Sequence, residues 1–202
     1  ADNRTVLMGD DYTNGGLFMF VADKEKDLSA GTLYVAKYTT QLTDTTSGKI
    51  SWIKLGHATS AEIENLIKSG IKSTDIFDSK LQIAKYPTDA TTDEKQAIDA
   101  SKPTADQKLL ADAAKARLKT QQTNQKAELE AQGFKFTYLS KTGVYLKLKD
   151  NSDKTKLAAA FLETHRYAAY VGASMALTKN EGTTVNTTDK KAYSALANIV
   201  DS

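Results

Sequence analysis

Two short charged clusters stand out in this chain of 202 residues. Asp10 and Asp11 follow the apolar run Thr5–Met8 across Gly9, and Lys179 and Glu181 sit far downstream in the sequence Lys-Asn-Glu-Gly. Carboxylates on a turn at a strand end can aim several oxygens at one point. That suits a hard cation such as calcium, which takes about six to eight oxygen ligands. An Asp-Asp pair after a strand also fills turns with no ligand at all, by bonding to its own backbone. A loop glutamate or lysine is ordinarily solvated. Residue type alone leaves both readings open. His57 and His165 are the only histidines and lie far apart, so a paired helical zinc motif is excluded within the chain. His165 reads as a surface or boundary residue, and Arg166 as a structural residue bonding a neighbouring loop. Asn186-Thr187-Thr188 has the glycosylation pattern, which also recurs by chance.

Other chemistry is absent. There is no cysteine, so thiolate ligands, disulfides and cysteine nucleophiles are ruled out in this segment. No phosphate loop, nucleophile elbow or dinucleotide fingerprint occurs. The net charge of +2 gives no argument for an acidic partner. The basic residues are nearly all lysine, with arginine only at Arg4, Arg117 and Arg166, and aromatic platforms are missing, so nucleic acid is not an expected partner. No apolar run approaches the roughly 18–20 residues of a membrane span.

Three zones must position the charged clusters. Residues 1–56 hold four apolar runs between turn signals, at Thr5–Met8, Leu17–Ala22, Gly31–Tyr38 and Ile50–Leu55, which predicts an antiparallel meander like one propeller blade. Residues 57–133 switch to helical spacing: a helix from Ser60, a second over Ile76–Ala84 stopping before Pro87, and a long helix over Thr104–Gln132 closed by Gly133. Leu109, Leu110, Ala113, Ala116 and Leu118 trace its apolar stripe, while the polar run Lys119–Ala127 predicts an exposed, protruding arm. Residues 134–202 hold a hairpin over Phe134–Leu148, a helix from about Lys154 to Val171, a loop and a final strand at Ala192–Ile199. The expected class is α+β: short antiparallel strands with a largely helical insertion.

Four segments, in this order, resemble the PhoX-type bacterial alkaline phosphatases: Val6–Asp11; Leu17–Tyr38 ending in GTLYVAKY; Ser51–Leu55 (SWIKL); and Arg166–Asn186 with the strand AYSALANI after it. The last is the most specific, joining a helix, a Gly-Ala-Ser turn and a Lys-x-Glu-Gly motif. The resemblance covers about a third to a half of the chain. It implies an irregular six-bladed propeller with a calcium and iron cluster at its centre, an enzyme that hydrolyses phosphate monoesters, and a periplasmic or extracellular location. It implies metal ligation by Glu181, with Asp10 and Asp11 as further ligands, and a catalytic, phosphate-facing role for Lys179. Many members carry arginine at that position, and lysine supplies a point charge rather than a fork.

Six four-stranded blades need more strand than this chain holds, and the family's cysteine iron ligand lies ahead of the first matched segment. The expectation is therefore a middle segment of a larger enzyme, inactive alone, whose other partner is the rest of the propeller. The contrasting expectation is a non-catalytic exported module whose helical arm binds a partner.

Overall fold

The apolar runs of the first zone become β1 (Thr5–Gly9), β2 (Leu17–Lys24), β3 (Asp27–Tyr38) and β4 (Ile50–Thr59), a four-stranded antiparallel sheet in sequence order. They belong to a computed structural model that describes residues 2–40, 49–189 and 191–199. The class is α+β, as expected, with separate sheets of four, three and two strands. The described residues form no closed barrel or propeller. Alternation along β2 and β3 turns Phe18, Leu33 and Val35 into the main core.

β4 runs past His57, where helical spacing was expected to begin, because Gly56–Thr59 pair with Leu33–Ala30 of β3. Helix α1 (Ser60–Lys68) starts at once. Thr59 accepts from the Glu62 backbone N–H, and Glu62 reaches back to the Thr59 N–H at 2.8 Å, a reciprocal cap.

The second expected helix is corrected. Only the single turn α2 (Ser73–Ile76) is helical, and the chain continues as β5 (Phe77–Leu81). β5 pairs antiparallel with β7 (Thr142–Leu148), whose other neighbour is β6 (Lys135–Leu139). A short apolar set fits either period, and a partner strand more distant in sequence decides it. Leu66, Ile76 and Phe77 share one core with Phe18, Val35 and Leu146, so the start of the helical zone is built into the base.

Helix α3 (Thr92–Asp99), which the spacing did not predict, packs along the 27-residue α4 (Ala105–Ala131). The buried positions of α4 are Ala111, Ala114 and Leu129, whereas Leu109 is 71% exposed. With Ala97 of α3 also buried, small side chains bring the two helices close. The polar run of α4 is no free arm. Gln121 accepts from the Thr88 N–H at 2.8 Å; Gln122 donates to the Ile83 carbonyl at 2.6 Å. Gln125 accepts from the Ile83 N–H at 3.0 Å and donates to the Leu81 carbonyl at 2.9 Å. These amides satisfy backbone groups at the end of β5 and in the chain that follows it. Leu129 then joins Phe134 and Tyr145 in a second apolar cluster.

The hairpin β6–β7 forms as expected. The single helix expected over 154–171 is two, α5 (Asp153–Leu162) and α6 (Thr164–Tyr170), broken at Glu163 with φ −128°. Arg166 donates to Glu163 at 2.6 Å across this break rather than to a neighbouring loop. The chain closes in a ribbon of β8 (Leu177–Asn186) and β9 (Lys191–Ile199). β8 occupies most of the expected loop. No helix among the described residues is long and apolar enough to cross a membrane.

Candidate functional site

The loop after β1 lies along the start of β8. Gly15 and Leu177 exchange backbone hydrogen bonds at 2.6 and 3.1 Å, and Asn14 N–H meets the Thr178 hydroxyl at 3.5 Å. Further along, Lys179 N–H donates to the Tyr12 carbonyl at 3.3 Å and Asn180 N–H to the Asp10 carbonyl at 3.4 Å. The two charged clusters picked out in the sequence are thus neighbours through their backbones.

Their side chains diverge. One oxygen of Asp10 (Oδ2) lies 2.8 Å from His165 Nδ1, with both side chains about a quarter exposed. The Tyr12 ring meets the His165 ring edge-on at 5.1 Å. The other imidazole nitrogen, Nε2, is buried without a partner. Asp11 is exposed. Lys179 pairs with Glu181 at 3.3 Å, both side chains 59% exposed. Lys179 holds the left-handed conformation, φ 53°, unusual for a residue with a side chain. The β8–β9 register shifts between Asn180 and Gly182, so Glu181 sits in a bulge of a strand, not on the expected turn.

Between Lys179 and Glu181, Asn180 points inward. It is 2% exposed, and neither Oδ1 nor Nδ2 has a hydrogen-bond partner. A Cβ on Gly9 would come within 2.7 Å of this Oδ1, so only glycine admits the carboxamide there.

Asp10, Lys179 and Glu181 were legible by type. Asn180 and the engagement of His165 were not. The signal for Asn180 was its place inside the Lys-Asn-Glu-Gly motif, but burial could not be read without β8. Among the described residues, no three His, Cys, Asp or Glu side chains converge as a metal ion requires. The oxygens of Asp10, Asp11 and Glu181 do not meet at one point, so the described residues by themselves do not fit a calcium ion. Soft thiolate donors are lacking, since the chain has no cysteine.

No protein-family model, curated protein or solved structure matches this chain.

Proposed function

We propose that the chain is a segment of a metal-dependent phosphatase that hydrolyses phosphate monoesters outside the cytoplasm. The observation supporting this reading is the pair of backbone hydrogen bonds, Lys179 to Tyr12 and Asn180 to Asp10, that bring the two resembling motifs together. Asp10, Asp11 and Glu181 do not converge among the described residues, so they would hold calcium only together with ligands from the rest of the enzyme, which would also supply the ligands of an iron ion. Bound metals stabilise charge on the transferred phosphoryl group and activate the nucleophile. Lys179 supplies one positive charge to the phosphate, in exchange for its present partner Glu181.

The test uses the full-length enzyme with Glu181→Gln and Lys179→Ala. Glu181→Gln is expected to lose bound metal and nearly all activity, and Lys179→Ala to weaken activity, since it removes one electrostatic contact among several. Unchanged metal content and unchanged rate in Glu181→Gln would overturn the reading.

The α3–α4 pair supports a second reading, a non-catalytic exported module whose helices bind a partner: α3 makes its main contacts with α4 alone. A full-length chain with neither metal nor phosphatase activity would favour it.

A further inference from the structure

We infer that the outer edge of β9 is an interface for a second copy of this chain, the two β9 strands pairing antiparallel about a two-fold axis at Ala195. The inference is independent of the phosphatase reading and concerns the ribbon beyond the β1–β8 junction.

The ribbon has no covering layer. No side chain is buried from Glu181 to Asp189 or from Lys191 to Ala197. Val185, Tyr193 and Leu196 are large apolar side chains left exposed on it. Among the described residues, β9 pairs with β8 and with no other strand. Two strands alone are marginal in water, and a further strand or a packed face is needed to hold them. Along the free edge of β9, alternate residues turn their N–H and C=O groups outward, which is a template for another strand.

Other strand edges are guarded and this one is not. The edge of β8 bonds to the loop after β1 and is then broken by its bulge and the Lys179–Glu181 pair, leaving a short stretch open. β4 carries Lys54, β5 carries Asp78 and Lys80, and β6 carries Lys135. β9 has its one charge at its first residue, Lys191, and runs on through Ala-Tyr-Ser-Ala-Leu-Ala-Asn-Ile without proline. Charge and proline are the usual devices that stop edges from pairing. The same pattern selects the partner. Antiparallel pairing about Ala195 sets Ser194 opposite Leu196 and Tyr193 opposite Ala197, a small side chain beside each large one. It also puts the two Lys191 residues at opposite ends, roughly 27 Å apart at about 3.4 Å per residue. Parallel pairing in register would set the two lysines side by side, which is unfavourable. Ala195 pairs with Gly182 of β8, around which there is open space, so nothing obstructs the axis.

The test is sedimentation of the 202-residue chain from micromolar to millimolar concentration, beside Ala195→Lys, Ala195→Glu and an equimolar mixture of the two variants. The unaltered chain is expected to show a monomer–dimer equilibrium, and a weak one, because a single strand edge buries less than a standard interface. Each variant should dimerise roughly tenfold more weakly, since like charges then face each other across the axis. The mixture should recover the dimer, as lysine then faces glutamate. Ala195 is exposed, so both variants should keep the fold, which circular dichroism of the dilute monomers checks. Amide exchange of the unaltered chain gives a second measurement: protection along β9 should rise with concentration while protection of the β6–β7 hairpin stays constant. A chain that remains monomeric at millimolar concentration would overturn the proposal. So would a dimer of equal strength in the unaltered chain and both variants, because it would use another surface. A full-length enzyme that stays monomeric while the 202-residue chain dimerises would give the edge to a strand of its own chain, and would equally overturn it.

Discussion

His165 Nδ1 and Asp10 Oδ2 lie 2.8 Å apart, joining residues separated by 155 positions. The contact fastens the end of β1 to α6, and the Tyr12 ring closes over the imidazole. It gives His165 a structural task whatever the reaction.

His165→Ala should therefore lower stability by about 1–2 kcal/mol, combining a lost hydrogen bond to a charged group with lost ring packing. Denaturant unfolding of His165→Ala, Asp10→Asn and the double variant measures the coupling. About 1 kcal/mol of interaction is expected for a pair in direct contact. Strict additivity would show that the two side chains do not depend on each other.

Gly9→Ala tests the approach of β8 to β1. The added Cβ would lie 2.6 Å from Asn180 Cγ, and the Asn180 backbone carbonyl is nearer still. Backbone cannot swing aside as a flexible side chain can, so β8 must move. A loss of about 1–3 kcal/mol is expected, the usual range for overpacking. Hydrogen exchange should show faster exchange at the Lys179 and Asn180 amides. An unchanged unfolding midpoint would mean that β8 rests loosely on β1.

Much of this architecture was legible where the sequence is locally periodic. The runs of β2 and β3, the β6–β7 hairpin and the long α4 carry their own patterns. β8 does not: Thr178–Asn186 is polar, with little apolar alternation to mark a strand, and its pairing depends on β9. β5 failed for a related reason, since Ile76, Phe77 and Leu81 fit a helix until β7 supplies a partner. At the site, Asp10, Lys179 and Glu181 could be picked out by type and motif. The partners of Asp10 could not, because a contact across 155 positions leaves no local trace.

Deletion within the helical zone should have opposite outcomes at its two ends. Thr88 and Asp89 meet Gln121 at 2.8 and 2.9 Å, so the chain before α3 lies close to the middle of α4. Replacing residues 91–117 with a short Gly/Ser linker should leave the β-sheets cooperatively folded. Leu129→Ala, in the cluster with Phe134 and Tyr145, should cost about 2–4 kcal/mol. Gln125→Ala should cost about 1–2 kcal/mol, because it leaves the Ile83 N–H and the Leu81 carbonyl without their partner. Thermal unfolding of the three proteins checks the order. A shortened chain that no longer unfolds cooperatively would make α3 and the first half of α4 part of the core.

The α3–α4 pair should also be sensitive to acid. The Glu94 side chain, 8% exposed, accepts from the Thr91 backbone N–H at 2.9 Å and from Arg117 Nη2 at 2.9 Å. The Thr91 N–H first, and then the guanidinium, hold its carboxyl below the ordinary glutamate value. In the unfolded chain the carboxyl returns to about 4.3. The folded state therefore binds the proton less readily than the unfolded state, and stability falls as protons are added. The contribution is complete above the unfolded value and is lost as pH drops through the lower folded value. Glu94→Gln cannot ionise and cannot pair with Arg117 as a charge. It should unfold at a lower temperature than the parent chain at pH 7, and the gap should narrow steadily below about pH 4. Because other carboxylates titrate in the same range, the difference between the two proteins is the quantity to follow, together with exchange protection of the α3 amides. A gap that stays constant from pH 7 to pH 3 would show that the Glu94 charge does nothing for the fold, and that its bond to the Thr91 N–H needs no charge.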